Sequence, residues 1–434
     1  MTYRKLFILC CFVLLLLPVL PVYASEGNHD ATGEPTAVSS PPVISTLPEE
    51  RMKGPEISSD YSSNELAKGA VNRNITFFSE RIKERFSLWL VRSGKYLELM
   101  KDILKEKNVP EDIVFLSLIE SGFSPNAYSP ARAAGYWQFI ASTAKRYGLE
   151  IDWWRDERRD PVKSTVAAAS YLKDLYGMFG SWNLAMAAYN AGEGKIYRAL
   201  NKSKADDYWS LLSTNHIKSE TKDYVPKFIA ASMIANSPET FGFDNLEYHP
   251  PLNYDLVTVK SPVDLEVIAA CAETSLEMIK ELNPELRRWC TPPDVPEYTL
   301  RIPQGKKESF SDNISRIPEE ERFSADTYTS RKGDTFQKIS KKTDVPVQVI
   351  LDMNDMTKIM PLKAGTVIYL PPKNKCFMDR EDRALAQKAS FELKKASSKN
   401  KKKCSSTRKS QRKTIKKVSH KSSKKAVKTH SKKA

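Results

Sequence analysis

The 434-residue chain is poor in the residues that most cofactor chemistry needs. Its five histidines (His29, His216, His249, His420, His430) are scattered, with no metal-ligand spacing. No Gly-rich phosphate loop follows a strand-like run, and no nucleophile elbow occurs. These absences exclude the common metal, nucleotide and serine-hydrolase chemistries, so no cofactor and no metal are expected. Apolar runs are short too. The one at 6–17 has twelve residues, whereas a spanning helix needs about 20. Arg4 and Lys5 precede it and Val22-Tyr-Ala24 offers a small-residue cleavage site, so 1–24 reads as a secretory signal. An uncleaved anchor is the alternative, because Val19, Leu20 and Val22 extend the stretch. Cys10 and Cys11 lie inside the run and are read as signal residues.

Acidic residues are missing from one place. Between 394 and 434 there are 18 Lys and Arg and no Asp or Glu; taking those from the net charge of +15 leaves −3 for everything else. The folded part is thus close to neutral, and 390–434 reads as a disordered basic tail. On an exported chain such a tail would seek anionic envelope polymers or a membrane surface; export makes nucleic acid the minor reading. Residues 25–65, rich in Ser, Pro, Glu and Thr, read as a flexible linker.

What is present begins with helical periodicity. Ile75, Phe77, Phe78, Ile82, Phe86, Leu88, Trp89 and Leu90 recur at helical spacing, a second helix runs over 96–105, and helices dominate to Asn236. No strand-like alternation occurs in this lobe, 66–250, which predicts an all-α domain. Its organising stretch is 109–139. Pro110, Glu111 and Asp112 suit a helix start. Ile113, Val114, Leu116, Leu118 and Ile119 supply an apolar face, and Gly122 and Pro125 stop the helix just after Glu120. A carboxylate carried on apolar surface at a helix end is placed to have a raised pKa, as a general acid near neutral pH requires. By itself the residue does not separate that role from an ordinary half-exposed helix end.

The surrounding motifs do. Glu120-Ser-Gly-Phe-Ser-Pro-Asn-Ala-Tyr-Ser129 followed by Gly135-Tyr-Trp-Gln138, then Ala188-Tyr-Asn-Ala-Gly-Glu-Gly194, then Glu220-Thr-Lys-Asp-Tyr-Val-Pro-Lys227, resemble the four ordered motifs of the lysozyme-like (SLT) lytic transglycosylases. The resemblance covers 71–236. It implies a lysozyme-like catalytic domain acting on peptidoglycan glycan strands, with Glu120 as the single acid/base and a 1,6-anhydromuramic acid product. It also implies that Ser129, Gln138, Tyr189, Asn190 and Tyr224 line the cleft and contact or orient substrate. Structural hydrogen bonding is the competing reading for Gln138 and Asn190, and Trp137 is expected to pack. Ordinary glycosidases use a second carboxylate. Asp152, Asp156, Asp160 and Glu193 are the acids available, and surface charge is the role expected of each.

Beyond Pro250 a unit repeats. Ile268, Ile279 and Asn283 return 71 residues later as Ile339, Ile350 and Asn354, and each unit reads strand, helix, helix, strand. The second, 326–372, has Lys332-Gly-Asp-Thr335 and resembles a LysM module, a small glycan-binding fold. The first, 251–305, lacks that turn, carries an insertion around Pro292-Pro293, and is LysM-like. Both are small α+β folds. Cys271 and Cys290 fall in the first unit and form a candidate disulfide; two buried thiols are the alternative. Cys376 and Cys404 lie in or beside the tail. Three readings therefore stand: a lytic transglycosylase of the periplasm or cell envelope, a hydrolytic muramidase on the same fold, and a non-catalytic peptidoglycan-binding protein.

Overall fold

The computed structural model describes residues 59–375, all within one compact unit. The leader 1–24, most of the linker 25–65, Cys10, Cys11, Cys376, Cys404 and the tail 390–434 lie outside the described residues. The N-terminal lobe is built from α1 (Glu65–Thr76), α2 (Lys83–Ser93), α3 (Leu97–Glu106), α4 (Phe115–Ser121), α5 (Ala141–Arg146), α6 (Pro161–Phe179), α7 (Trp182–Ala191), α8 (Glu193–Ser203), α9 (Tyr208–Leu212) and α10 (Ser219–Asn236). Among the described residues of this lobe, β structure is limited to isolated bridges such as Tyr128 with Ala134, so the all-α expectation holds.

Folding starts earlier than the composition suggested. Asn64 caps α1 by accepting from the Ala67 amide at 3.1 Å, and a 3₁₀ turn over Ser59–Ser63 precedes it. Side-chain capping of this kind satisfies a helix-start amide that has no intrahelical partner. Ala67, Ala70 and Val71 then bury against α10, and Asn74 donates to Asp223 of that helix at 2.8 Å. The end of the presumed linker is therefore part of the wrap around the lobe. In the centre α6 packs on α7, and Ala167, Ala168 and Ala169 of the first and Ala185, Ala187 and Ala188 of the second are all buried. Small side chains let these two helices approach closely.

The repeat is real at the level of hydrogen bonds. The first unit pairs β1 (Tyr254–Val259) antiparallel with β2 (Tyr298–Pro303), with Tyr254 opposite Pro303, and places α11 (Leu265–Cys271) and α12 (Leu276–Leu282) between them. The second pairs β3 (Asp326–Thr329) with β4 (Val367–Leu370) around α14 (Phe336–Thr343) and α15 (Val347–Asp352). Asn283 donates to the Ile279 and Arg301 carbonyls (2.8 and 2.7 Å) and accepts from the Arg301 amide at 2.8 Å. Asn354 does the same with Ile350 and Tyr369, at 2.6, 2.9 and 2.9 Å. Each asparagine pins the end of its second helix to the returning strand.

Two expectations change here. The first unit does not end at 305: an added helix, α13 (Lys307–Arg316), lays Phe310, 2% exposed, into the cluster formed by Ile268, Ile279 and Ile302. Repeat spacing could not reveal it, because the second unit has no counterpart. Cys271 and Cys290 are free, buried thiols in this structure, which departs from the candidate disulfide. The cause is packing. Cys271 belongs to the core of the first unit, while Cys290 sits in a different cluster with Trp154, Trp289 and Phe336.

Candidate active site

Helix α4 is short because Gly122 ends it in the left-handed region, at φ +59. A Cβ there would come within 2.4 Å of the Trp89 ring, so only glycine allows this stop. The helix buries Ile113, Val114, Phe115, Leu116 and Leu118 from its approach and its own turns. Glu120 is left half-buried at its last turn. Ser117 and Ser121, one turn apart, both donate to the Tyr136 carbonyl (3.1 and 2.8 Å) and so clamp the 135–139 loop onto α4. That loop depends on a second glycine. Gly135 has φ +77, and a Cβ on it would lie 1.8 Å from the Arg158 carbonyl oxygen.

Tyr224, reaching in from α10, donates its hydroxyl to Glu120 Oε1 at 2.6 Å. Burial pushes the Glu120 carboxyl from the ordinary 4.5 up to about 7. The Tyr224 hydrogen bond and the Lys227 charge pull it back, and Glu220 adds a smaller push upward. Although part of the side chain is open to solvent, its carboxyl sits deep enough among protein atoms for desolvation to win. Glu120 is thus poised to hold or release a proton at neutral pH. Tyr189 of α7 donates to the Trp137 carbonyl at 2.7 Å. Its own hydroxyl is held well above the usual tyrosine value by burial and then by the nearby Glu120 charge.

The remaining sequence candidates bond to other partners. Gln138 donates to the Gly135 and Ala127 carbonyls at 2.8 and 3.2 Å. Ser129 Oγ accepts from the Ala133 amide at 3.1 Å, closing the turn before Ala134. Asn190 accepts from Thr221 Oγ1 at 3.2 Å, tying α7 to α10. Trp137 is fully buried and donates to Thr165 at 3.0 Å, a packing role as expected.

Sequence reasoning passed over Ser117, Ser121, Glu220 and Lys227. The signal was available for the last two: they stand at i−4 and i+3 from Tyr224, on the same helix face. Two of the four other acids need correcting. Asp156 and Asp160 are each 1% exposed; they are buried ion-pair partners, not surface charge. Asp156 meets Arg158 at 2.7 Å, and Asp160 meets Arg301 at 2.9 Å. Asp152 accepts the Trp154 and Arg155 amides. Glu193 accepts from Tyr171 at 3.3 Å and pairs with Arg146 at 3.5 Å. Each is committed away from Glu120. Among the described residues no group of His, Cys, Asp or Glu could hold a metal ion.

Family models match three stretches of the chain. Residues 99–212 match the family described as Transglycosylase SLT domain. Residues 253–319 match Lytic transglycosylase MltD, LysM-like domain, and 328–371 match LysM domain. Membrane-bound lytic murein transglycosylase D of Escherichia coli (strain K12) is 30% identical over 294 residues, covering 64% of each chain. The chain therefore spans slightly under two thirds of that relative's length. Soluble lytic murein transglycosylase of the same organism is 27% identical over 157 residues, 35% of this chain and 23% of that one. The crystal structure of the 70 kDa soluble lytic transglycosylase from Escherichia coli aligns over 43% of this chain and 32% of that one, with a TM-score of 0.32 and 24% identity. The chain carries an SLT domain followed by a LysM-like and a LysM domain.

Proposed function

We propose that this protein is a lytic transglycosylase that cleaves the β-1,4 bond between N-acetylmuramic acid and N-acetylglucosamine in peptidoglycan. The observation that carries the reading is Glu120: one buried carboxyl with its pKa at about 7, held by Tyr224, while the other candidate acids are bound elsewhere. Protonated Glu120 gives its proton to the glycosidic oxygen as the bond to the muramoyl C1 breaks. The developing cation is supported by the substrate's own acetamido group, the exception to two-carboxylate glycosidases. The ionised Glu120 then takes the proton of the C6 hydroxyl as that oxygen closes onto C1. A 1,6-anhydro sugar results, no water is consumed, and the enzyme returns to its starting protonation. Ser129, Gln138, Tyr189 and Asn190 shape the walls on which the sugar rests.

The LysM domain at 328–371 holds the enzyme on glycan, and the basic tail adds attraction to anionic envelope surfaces. The leader at 1–24 supports export to the periplasm or cell envelope, and the membrane-bound relative supports an envelope location. No helix of the described residues is long and apolar enough to cross a membrane. The test is Glu120→Gln, which keeps shape but can neither give nor take the proton. Turnover of purified peptidoglycan should fall by at least roughly 10²–10⁴-fold, with pelleting on insoluble peptidoglycan unchanged. Retained turnover would remove Glu120 from the reaction.

A further inference from the structure

The six consecutive residues 155–160 (Arg-Asp-Glu-Arg-Arg-Asp) are all charged and all buried. Charged side chains are almost never buried without partners. Those partners lie on two sides of the segment.

On one side is the loop that carries the second motif. Arg158 donates to the carbonyls of Arg132 (2.9 Å) and Phe139 (3.0 Å). Arg159 donates to Asn126 Oδ1 at 3.1 Å. The Arg158 carbonyl oxygen is the atom against which Gly135 packs. Asp156 grips the Arg158 guanidinium through two bonds, of 2.8 and 2.7 Å, and so fixes its direction.

On the other side is the LysM-like domain. The Asp156 amide donates to the Glu285 carbonyl at 2.8 Å, and Arg155 forms a β-bridge with Leu286. The Arg155 guanidinium forks onto Asp294, both bonds 3.1 Å. The Asp160 carboxylate does two jobs at once. Its Oδ1 caps α6 through the Val162 and Lys163 amides (2.8 and 2.7 Å), and it also receives Arg301 Nη2 at 3.1 and 2.9 Å. Arg301 stands between two buried carboxylates, with Glu285 at 3.7 Å on its other face. Being 7% exposed and engaged this way, Arg301 is not available to a sugar.

We infer that the LysM-like domain acts as a brace for the active-site loop 126–139, and that Arg301 and Asp160 are positioning residues for bond cleavage rather than glycan ligands. The inference rests on the proposed cleavage reaction for its kinetic consequence. Removing the Arg301 charge leaves Asp160 and Glu285 buried without the cation they share, which is strongly unfavourable. Asp160 then turns away or protonates, and the 155–160 segment loses its anchor on the module side. The loop it holds against α4 loosens.

The test uses the full-length protein with Arg301→Met, close in volume, and Arg301→Lys, which keeps the charge but not the planar fork. Three quantities are read: kcat and KM on soluble peptidoglycan chains, pelleting on insoluble peptidoglycan, and amide hydrogen exchange. Arg301→Met should lower kcat at least tenfold, leave KM and pelleting within twofold, and speed exchange at 126–139 while α7 and α10 stay protected. Arg301→Lys should recover part of both the rate and the protection, and it decides the matter if Arg301→Met does not fold. Unchanged kcat with unchanged loop exchange would overturn the inference. So would weakened pelleting at unchanged kcat, which would make Arg301 a glycan ligand. A wild-type protein that cleaves nothing would sink the proposed reaction instead, and loop exchange would still decide the brace.

Discussion

At the scale of single residues, Glu120 is the group from which most follows. Folded, it keeps its proton up to about pH 7; unfolded, only to the ordinary 4.5. Between those values the native state binds more protons than the unfolded one, so stability falls as pH rises. Below about pH 4.5 the penalty is absent in both states. Glu120→Gln should therefore be more stable than the wild type at pH 8, by on the order of 3 kcal/mol at 1.36 kcal/mol per pKa unit, and should match it at pH 4. Equal melting at both values would mean that the carboxyl is not destabilised by burial. The neighbours should steer the same titration. Tyr224→Phe removes a bond that favours the charged form, so the pH at which activity is lost on the alkaline side should rise. Glu220→Gln removes a repulsion and should lower it. Tyr224→Phe should also slow turnover by on the order of 10–100-fold, the worth of a hydrogen bond to a charged group. Both Glu120 and Tyr224 are legible in the sequence from their motifs. The fourth motif also implies that Tyr224 lies close to Glu120, but the bond itself joins residues 104 apart and no local pattern records it. The roles of Ser117 and Ser121 were also out of reach, since a serine on a helix gives no hint of which carbonyl it will meet.

Among the elements, helix starts and stops follow local chemistry closely. Gly122 ends α4 and Asp160 with Pro161 begins α6 as the residue types dictate. The strand-helix-helix-strand units are visible as a sequence repeat, and their shared lock is Asn283 or Asn354. Replacing Asn354 by Ala removes three hydrogen bonds and should cost about 1–3 kcal/mol. Faster amide exchange at Tyr369 would show it, and exchange at the wild-type rate would show that the lock is dispensable. What the sequence concealed was α13, which has no repeated partner, and the folded start at 59–65, whose polar composition imitates a linker. In both cases tertiary burial decided: Phe310 in one, Ala67 and Val71 in the other.

For the whole molecule, the reading that failed most clearly was that of Asp156 and Asp160 as surface charge. A run of six charged residues ordinarily marks a solvated face. Here the partners come from 126–139 on one side and from 285–301 on the other, separations that no local pattern records. The cysteines went the same way. Closeness in sequence suggested a bridge, yet the two thiols are sorted into separate cores. Cys271 and Cys290 should both be alkylated in denaturant without prior reduction and be protected in the native protein. Recovery of a peptide pair linked through 271 and 290 would contradict the packing described. Trp154 extends the same junction to the second module, donating to Asp352 at 2.9 Å, so the described residues form one body around the SLT domain.

The reaction itself is tested most directly by the mass of the sugars released when purified peptidoglycan is digested with the full-length protein. The muropeptides released should end in 1,6-anhydromuramic acid, lighter by one water than hydrolytic products, and none should appear when Glu120→Gln replaces the wild type. Reducing-end muramic acid as the main product would contradict the proposal, because water and not the C6 hydroxyl would then be the group that closes the reaction.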